Sequence, residues 1–538
     1  MPINPVDYIV VGAGSSGCVL ANRLSEDPEN SVCLIEAGPK DKSPWIHLPI
    51  GYGKTMWDPK LNWKFETEPD PGMNQRKIYW PRGKCLGGSS SINGLIFIRG
   101  QKEDYDGWKA LGNKGWGWDD VLPYFKKSEG NDRLNGPLHS QTGPLKASSI
   151  PKKHPLVEAF IKSAEELGVP ETDDFNNLTQ EGVGYYQLTT NKGLRCSTAV
   201  AYLKPAKGRR PNLTILTDSQ VMRVLFEGRR AVAIELNRNG EKQIIRANKE
   251  IILSAGALQS PQILQLSGIG PAKLLSEFNI PLIHDLPGVG ENLQDHLQYR
   301  LIYELNQPIS TNVQLSSLLG KAMMGLDWLL FRGGPLSIGI NQGGLFTKVM
   351  KSSTTPDIQF HLATLSADMA GGNVHPFPGF TMSVCQLRPE SRGHVRIQSN
   401  DPLVPPKMFA NYLATEHDRA TSVAAVNFAR KIAQTEPLKS LIEREIKPNN
   451  PQSDADILEF CRNSGATIFH PTGTCQMGTD DNPLAVLDSD LKVRGVTGLR
   501  VVDCSAMPTL PSGNTNWPAV MLAERASDLI LGKDTKHS

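Results

Sequence analysis

Three glycines and one acid near the start of the chain have the types and spacing that hold a dinucleotide. Gly12, Gly14 and Gly17 form a G-x-G-x-x-G pattern, and Glu36 lies 22 residues after Gly14. Gly12 permits a tight turn, Gly14 lets the backbone approach a pyrophosphate, and Gly17 lets a helix pack closely on a strand. Glu36 would accept hydrogen bonds from ribose hydroxyls. We therefore expect a bound dinucleotide, contacted by Gly12, Gly14, Ser15, Ser16, Gly17 and Glu36.

A strand, a helix and a second strand must position these residues. The apolar run that begins at Asp7 predicts a short buried strand, residues 18–24 open a helix, and residues 32–36 form a strand that ends in the acid. The unpaired N–H groups at the start of such a helix attract phosphate. No basic residue near Glu36 would meet a 2′-phosphate, which disfavours NADP. The pattern itself does not separate FAD from NAD.

Beyond this unit the chain alternates between irregular and strand-like stretches. Residues 38–120 are rich in Gly, Pro and Trp and have little periodicity, which a bound cofactor enclosed by the segment would explain. From residue 213 onward, alternating apolar and charged residues predict a meander with one solvent-facing side. Residues 249–256 predict a further buried strand. The alternation favours a mixed α/β fold.

Two helices are predicted outside the strand-rich regions. Residues 516–531 form a helix that Gly532 ends. Residues 315–330 place six leucines, one methionine and one alanine on one helical face. We interpret that segment as a core helix, with weak peripheral contact to a membrane surface as the alternative, because its charged residues give it little cationic character.

The composition is that of an ordinary globular enzyme. A chain of 538 residues favours two packed domains. The formal net charge is only +2 and no long Lys/Arg block occurs, so nucleic acid is not an expected partner. The eight cysteines are scattered without a C-x-x-C pair, which favours a reducing compartment. No signal-like start and no apolar run of about 18 residues is present, so we expect a cytoplasmic protein.

Three longer stretches resemble the glucose–methanol–choline (GMC) family of flavoenzymes. They are PRGKCLGGSSSINGLIFIRG from Pro81, GALQSPQILQLSGIG from Gly256 and FHPTGTCQMG from Phe469, and RVVD at 500–503 and GNTNWP at 513–518 follow. The resemblance implies a Rossmann-like FAD-binding domain and a second, substrate-binding domain made of an antiparallel sheet and helices. The implied segments are 1–154, 196–307 and 462–538 for the FAD-binding domain and 155–195 and 308–461 for the substrate-binding domain.

The resemblance also implies how FAD is held. Val221 matches the position whose backbone amide meets the adenine, and Asp503 resembles a second acid that fixes the flavin chain. The N-terminus of the helix at 516–531 would face the N1–C2=O edge of the flavin and stabilise its reduced anion. Ile92 occupies the place where some relatives attach FAD through a histidine, so we expect non-covalent FAD. The implied contacts are Trp80, Gly83, Gly88, Asn93, Gly94, Leu95, Ile96, Val221, Asp503 and Asn516.

The same resemblance indicates two catalytic residues. Alcohol oxidation needs a base for the hydroxyl proton, and histidine is the usual choice near neutral pH. His470 matches the active-site base of the family, and Asn514 matches its second active-site residue, whose amide can donate to the substrate oxygen. We interpret His296 as structural, with a place beside the flavin as the alternative, and His394 as a strand-edge residue. His470 and Cys475 lack further ligands for a metal site.

The sequence says less about the substrate. The region compared with the choline-binding carboxylate of relatives contains Asn341 and Gln342 but no acid, which disfavours choline. The chain is most similar to the bacterial alcohol dehydrogenase branch, so we expect oxidation of a primary alcohol to the aldehyde with a quinone-like acceptor. An oxidase using O2 and a hydroxynitrile-lyase-type enzyme are the alternatives, and the oligomeric state is open. The apolar residues expected to suit an aliphatic, aromatic or polyether alcohol are Ile338, Ile340, Leu345 and Phe346.

Overall fold

Two seven-stranded sheets form the framework of the protein in the computed structural model, which describes residues 4–369 and 371–533. We call the sheet that contains the N-terminal strand sheet A. Its strands, from one edge to the other, are Leu213–Leu216, Val32–Ile35, Val6–Val11, Glu241–Leu253, Arg230–Arg238 and Ser219–Glu227, and Leu499–Val501 also pairs with Glu241–Leu253.

Sheet A has a parallel half and an antiparallel half, which share the strand Glu241–Leu253. The last residues of that strand pair in parallel with Val6–Val11, whereas its first residues pair antiparallel with Arg230–Arg238. The central parallel strands Val6–Val11 and Val32–Ile35 are almost entirely buried, as expected where helices cover both faces. The antiparallel half alternates between buried and exposed residues. Both the predicted first strand–helix–strand unit and the predicted meander are confirmed, and so is the mixed α/β class.

The second sheet, sheet B, is antiparallel. Its strands, in spatial order, are Ile442–Lys447, Leu297–Leu305, Gly379–Gln386, Ile358–Ala363, Asn341–Thr347 and Gly182–Tyr185, and Ala466–Thr467 also pairs with Leu297–Leu305.

The two faces of sheet B meet different surroundings, as the strand Leu297–Leu305 illustrates. Tyr299 and Tyr303 join a buried apolar cluster with residues of the helix Glu416–Ala433, and the Tyr299 hydroxyl lies 2.7 Å from Ser422 Oγ. Because successive side chains of a strand point to opposite faces, Gln298 and Arg300 face the other way. That second face looks toward sheet A.

Helices and short strands complete the fold. The helices are Ser15–Leu24, Pro44–His47, Tyr52–Thr55, Lys102–Ala110, Trp118–Ser128, Pro155–Glu165, Lys204–Ala206, Gln259–Leu266, Ala272–Glu277, Thr311–Ser316, Leu318–Phe331, Glu416–Ala433, Asp454–Ser464 and Asn516–Ile530. The short strands are Phe65–Glu66, Tyr79–Trp80, Glu129–Asn131, Leu145–Ala147, Thr190–Asn191, Leu194–Arg195, Ile269–Gly270, His284–Asp285, His394–Arg396 and Lys407–Phe409. His394 begins a strand of a two-stranded sheet, which confirms its predicted strand-edge position.

Two helices from opposite ends of the chain pack together beside sheet A. The first, Ser15–Leu24, begins at Ser15 rather than at Cys18 and is preceded by Gly14 as its N-cap. The second is Asn516–Ile530, and Gly532, with φ of +61°, follows it as predicted. Because both helices begin at the same place, their N-terminal N–H groups share one side of sheet A.

The interpretation of residues 315–330 as a core helix is wrong. The helix Leu318–Phe331 exposes its apolar side chains, with Leu318 at 86% and Phe331 at 76% of full exposure. Met324 is its buried residue, and Trp328 Nε1 donates to Gly193 O at 3.1 Å. Helical periodicity reveals an apolar face but not whether another element covers it. Contact of this face with a membrane surface stays a prediction.

Within residues 4–369 and 371–533, no helix is both long and apolar enough to span a membrane.

Candidate active site

One cavity of about 490 Å³ lies between sheet A and sheet B. At one end it reaches the turn between the first strand and first helix, and at the other it reaches the inner face of sheet B. We call these the cofactor end and the substrate end. The predicted residues that line this cavity are Gly12, Gly14, Ser15, Ser16, Glu36, Gly83, Gly88, Asn93, Gly94, Leu95, Ile96, Val221, His470, Asp503, Asn514 and Asn516.

Two predicted residues lie outside the lining. Trp80 is buried in the apolar cluster of sheet B, and its Nε1 donates to the Tyr412 hydroxyl at 3.2 Å. Gly17 packs against the backbone, and a Cβ there would overlap Gly12 O. That close approach of helix and strand is the reason for which a glycine is expected at this position.

The other two glycines of the fingerprint shape the cofactor end. Gly12 has φ of +95°, and a Cβ there would lie 2.5 Å from Ser254 O. Gly14 borders open space, since a Cβ there would meet nothing within 4 Å. Only hydrogen atoms therefore stand between this backbone and the cavity. A flat or multiply charged group can approach the backbone here more closely than any side chain would allow.

Glu36 closes the cofactor end with a carboxylate. Its Oε2 accepts from Ala13 N at 3.0 Å and its Oε1 from Gly38 N at 2.9 Å. Burial raises the pKa of this carboxyl to about 7, although both backbone hydrogen bonds act in the opposite direction. The amides fix its position, and each oxygen keeps accepting capacity for a hydroxyl donor such as ribose.

Asp503 is the second buried acid on the lining. Ser260 Oγ, at 2.5 Å, and Gly256 N, at 2.9 Å, donate to its Oδ2, and the backbone N and Oγ of Ser505 donate to its Oδ1 at 2.8 and 2.6 Å. Burial raises its pKa. The carboxylate is thus tied to the loops on both sides of the cavity wall.

Asn93 is oriented by an arginine that sequence reasoning missed. Arg195 Nη1 donates to Asn93 Oδ1 at 2.6 Å, and Leu95 N donates to the same oxygen at 3.1 Å. Arg195 is buried and also donates to Ser90 O and Ile46 O. Because the side-chain oxygen is engaged, the Asn93 NH2 group is the part left to meet a ligand.

The helix Asn516–Ile530 starts at the cavity wall. Asn516 Oδ1 accepts from Ser15 Oγ at 2.7 Å, and Thr515 makes no side-chain cap to the first turn. The first N–H groups of this helix, and the positive end of its dipole, are therefore available to a ligand in the cavity. Ile92 also lines the cavity, and its side chain cannot form a covalent link to a cofactor.

Three side chains form a hydrogen-bonded chain where the two sheets meet. His296 Nε2 lies 3.0 Å from Leu387 O, and His296 Nδ1 lies 3.0 Å from His470 Nδ1. His470 Nε2 lies 3.2 Å from Asn514 Nδ2. His296 is therefore part of the site and not merely structural. The sequence signal for a site role of His296 was its position directly before a strand of sheet B and two residues before Gln298, which lines the cavity.

This chain assigns the tautomer of each ring. A carbonyl oxygen can only accept, so His296 carries its proton on Nε2 and accepts at Nδ1. His470 must then donate from Nδ1, which leaves a lone pair on its Nε2. The Asn514 NH2 group donates to that lone pair, and Gln359 Nε2 donates to Asn514 Oδ1 at 3.1 Å. The network therefore directs a neutral, basic nitrogen of His470 into the cavity.

Burial keeps these rings neutral. It lowers the pKa of His296 to about 4. Burial, reinforced by His296, His361 and Arg82, lowers the pKa of His470 well below its usual 6.5. Both rings are thus unprotonated at neutral pH, which is the state a general base requires.

The backbone at His470 is held from both sides. Phe469 has φ of +73°, a region that non-glycine residues rarely occupy. Arg82 Nη2 donates to Phe469 O at 2.6 Å, and His470 N donates to Asp295 Oδ1 at 2.8 Å. Tyr412 donates to the other oxygen of Asp295 at 2.5 Å. These bonds fix the direction in which the His470 side chain leaves the backbone.

The substrate end differs from the sequence-based expectation. Among the four apolar residues expected there, Ile340 lines the cavity, but Leu345, Phe346 and Ile338 belong to apolar clusters outside it. Asn341 also lines the cavity, whereas Gln342 donates to Thr364 Oγ1 at 3.2 Å away from it. The expectation treated neighbouring residues as one surface, although alternate residues of a strand face opposite ways. The polar lining of this end comes instead from Gln298, Arg300, His361 and Ser383.

Comparison with known proteins agrees with this architecture. Models of the GMC oxidoreductase family match residues 6–298 and 389–523. The alcohol dehydrogenase [acceptor] of Pseudomonas putida is 42% identical over 532 residues, which cover 98% of this chain and 96% of that protein. An oxygen-dependent choline dehydrogenase of Vibrio vulnificus is also 42% identical, over 98% of this chain and 94% of its own.

Solved structures show the same likeness. Pyridoxine 4-oxidase from Mesorbium loti has a TM-score of 0.88 and 31% identity, with 97% of this chain and 98% of that chain covered. A fungal aryl-alcohol oxidase has a TM-score of 0.87 and 25% identity, with 99% of both chains covered. The chain therefore belongs to the GMC oxidoreductase family.

Proposed function

We propose that the protein oxidises a primary alcohol to the aldehyde with non-covalently bound FAD. The observation that carries this proposal is the neutral His470 on the cavity lining, whose hydrogen bonds leave the lone pair on Nε2, beside Asn514. FAD held at the cofactor end would supply the acceptor for the hydride of the alcohol carbon. The hydroxyl proton goes to His470 Nε2, so that the alcohol gives up one proton and one hydride and becomes an aldehyde.

The cofactor end fits FAD in both shape and donors. Gly14 leaves room for the pyrophosphate beside the N-terminus of the first helix, and Glu36 can accept from the ribose hydroxyls. Asn93 and the start of the helix Asn516–Ile530 would meet the flavin. GMC oxidoreductases use FAD, and one neighbour of known structure is an FAD-dependent oxidoreductase from Chaetomium thermophilum. Ile92 on the lining supports non-covalent binding.

Asn514 has a distinct role in this proposal. Its NH2 group carries two N–H bonds, of which one points to His470 Nε2. The second can donate to the substrate oxygen while negative charge develops there. Gln359 holds the Asn514 side chain in this orientation by donating to its oxygen at 3.1 Å. The substrate hydroxyl would take the place of Asn514 as donor to the single lone pair of His470 Nε2, and its oxygen would accept from the Asn514 NH2 group.

We further propose a quinone-like electron acceptor. The support is the similarity to a Pseudomonas putida protein named alcohol dehydrogenase [acceptor]. Two neighbours of known structure, pyridoxine 4-oxidase and aryl-alcohol oxidase, are named oxidases. The test must therefore distinguish reduction of a quinone from direct reaction of the reduced flavin with O2.

The test is the flavin spectrum of the purified protein, recorded without oxygen while primary alcohols are added. We expect an alcohol to bleach the flavin, slow recovery in air and fast recovery with a soluble quinone. Fast recovery in air with formation of peroxide would overturn the proposed acceptor and make the enzyme an oxidase. No bleaching by any primary alcohol, with flavin present, would overturn the proposed reaction.

A further inference from the structure

The substrate end carries a row of polar side chains on three neighbouring strands of sheet B. Arg300 is paired with Ser383, and Ser383 is paired with His361 on its other side. All three line the cavity. Directly paired residues lie side by side on one face of an antiparallel sheet, about 5 Å apart. The guanidinium, hydroxyl and imidazole groups therefore form one continuous polar floor.

Arg300 differs from the other arginines near the cavity in its hydrogen bonding. Arg99 pairs with Glu129 at 2.7 Å, and Arg195 and Arg82 donate to oxygens of their neighbours. The side chain of Arg300 makes no hydrogen bond or ion pair with any residue in 4–369 or 371–533, and its Nε is inaccessible to solvent. Burial of Nε without a partner costs free energy, and the Nη atoms are not buried in this way, so they can donate to a ligand in the cavity.

No acid in the described part of the chain neutralises this charge from within the cavity. Glu36 and Asp503 are the acids on the lining, and both belong to the cofactor end. Asp368 attracts Arg300 electrostatically, but that carboxylate lies at the surface and pairs with Lys447 at 2.6 Å. The substrate end is therefore positive.

Ser383 adds a hydrogen-bond donor in the same row. It lies between Arg300 and His361 on the cavity lining, and its hydroxyl can donate to an anion beside Arg300. Both ring nitrogens of His361 are buried without a hydrogen-bond partner among the described residues. Burial lowers the pKa of His361 to about 3, so this ring is neutral.

We propose that Arg300 binds a carboxylate carried by the alcohol substrate, so that the enzyme acts on hydroxy-carboxylates. This inference rests on the proposed function, which it narrows to a substrate class. Arginine matches a carboxylate with paired donors, and the Ser383 hydroxyl can add a further hydrogen bond. A cationic alcohol such as choline would instead meet an unpaired positive charge.

The register of sheet B sets the separation of the two ends of this substrate. Gln359, which holds Asn514, belongs to the row of Gln298. The Arg300 row follows two residues later, about 7 Å further along the strands. A hydroxyl beside His470 and a carboxylate beside Arg300 are thus separated by a chain of several carbons. We expect 4-hydroxybutyrate to be too short and 6-hydroxyhexanoate to reach.

The experiment compares 6-hydroxyhexanoate with 1-hexanol as reductants of the holoenzyme. We expect kcat/KM for the hydroxy acid to exceed that for the alcohol by about 10- to 100-fold, the contribution of a charge-assisted hydrogen-bonded pair. In Arg300→Met this ratio should fall by a similar factor. Lys54→Met removes another cation of the lining, which lies 3.8 Å from the Trp45 ring, and should keep most of the ratio.

A binding readout separates this inference from the proposed reaction. Hexanoate should perturb the spectrum of the oxidised flavin in the wild type and need a far higher concentration in Arg300→Met. Preference for 1-hexanol in the wild type, or an unchanged ratio in Arg300→Met, would overturn the inference. Inorganic phosphate that displaces hexanoate equally well would also overturn it, because it would show a general anion site. If neither substrate bleaches the flavin, the proposed reaction fails while the hexanoate titration still decides on Arg300.

Discussion

The two ends of the cavity differ in whether the protein itself supplies hydrogen-bond partners for their charged side chains. At the cofactor end, backbone amides and serine hydroxyls already engage Glu36 and Asp503. At the substrate end, Arg300 and His361 have no hydrogen-bond partner in the described residues. A site whose donors and acceptors are satisfied by the protein is rigid before the ligand binds. Groups without a partner obtain their hydrogen bonds or charge pairing from the ligand itself. The contrast fits a constant cofactor at one end and a selected substrate at the other.

Among the variants that separate the two ends, His470→Ala should have the largest effect on the rate of flavin reduction. The variant removes the base between the two ends but leaves the glycines and acids of the cofactor end intact. We expect flavin reduction by an alcohol to slow by about 10²- to 10⁴-fold, the usual contribution of general-base catalysis. Flavin content measured by absorbance should stay at the wild-type level. His394→Ala, in a surface strand, is the matched control, and equal loss in both variants would contradict the assignment of the base.

His296→Phe should have the next largest effect. A phenyl ring keeps most of the volume but cannot accept the hydrogen bond from His470 Nδ1. The tautomer of His470 is then no longer fixed. Groups that orient a reacting histidine typically contribute about 10- to 100-fold. The rate of flavin reduction under single-turnover conditions measures this. A rate equal to that of the wild type would show that His296 does not orient the base.

Gly14→Val tests the cofactor end alone. The backbone there borders open space, so the fold should tolerate the added side chain, while the bound dinucleotide would lose about tenfold in affinity through steric overlap. Dialysis followed by a flavin assay measures the loss, and circular dichroism checks the fold. Gly107→Val, in open space on the helix Lys102–Ala110, is the control. Full retention of flavin in Gly14→Val would contradict the cradle assigned to this turn.

Gln359→Leu should have the smallest effect. It removes the hydrogen bond to Asn514 Oδ1, worth about 1 kcal/mol or about fivefold in rate. Steady-state kinetics should show the change in kcat rather than in flavin content. A loss as large as that of His470→Ala would mean that Gln359 contacts the reacting groups itself.

The residues of the cofactor end could be predicted from the sequence better than those of the substrate end. The cofactor end depends on turns and helix starts, where Gly12 and Gly14 have local conformational reasons to be glycine. These signals lie within a few residues of each other. The substrate end is assembled by cross-strand register, which brings Arg300 and His361 together from strands far apart in the chain. Their alignment depends on which residues of sheet B pair, and a one-residue shift would turn each to the other face.

Other differences have equally physical causes. His296 was interpreted as structural and Arg195 was missed, because their roles arise from contacts with residues more than a hundred positions away. The exposed helix Leu318–Phe331 was misjudged because amphipathic periodicity is the same for a helix that packs on a core and one that does not.

The most direct test of the central claim is the pH dependence of flavin reduction by an alcohol in the wild type. His470 is a base only when neutral, and burial lowers its pKa well below 6.5. Protonation would remove the base, so the depressed pKa moves the loss of activity to lower pH. The rate should therefore stay level as the pH falls from neutral to about 6, below the pKa of an ordinary histidine. A rate that falls by half near pH 6.5 or above would contradict the account of a buried, neutral His470.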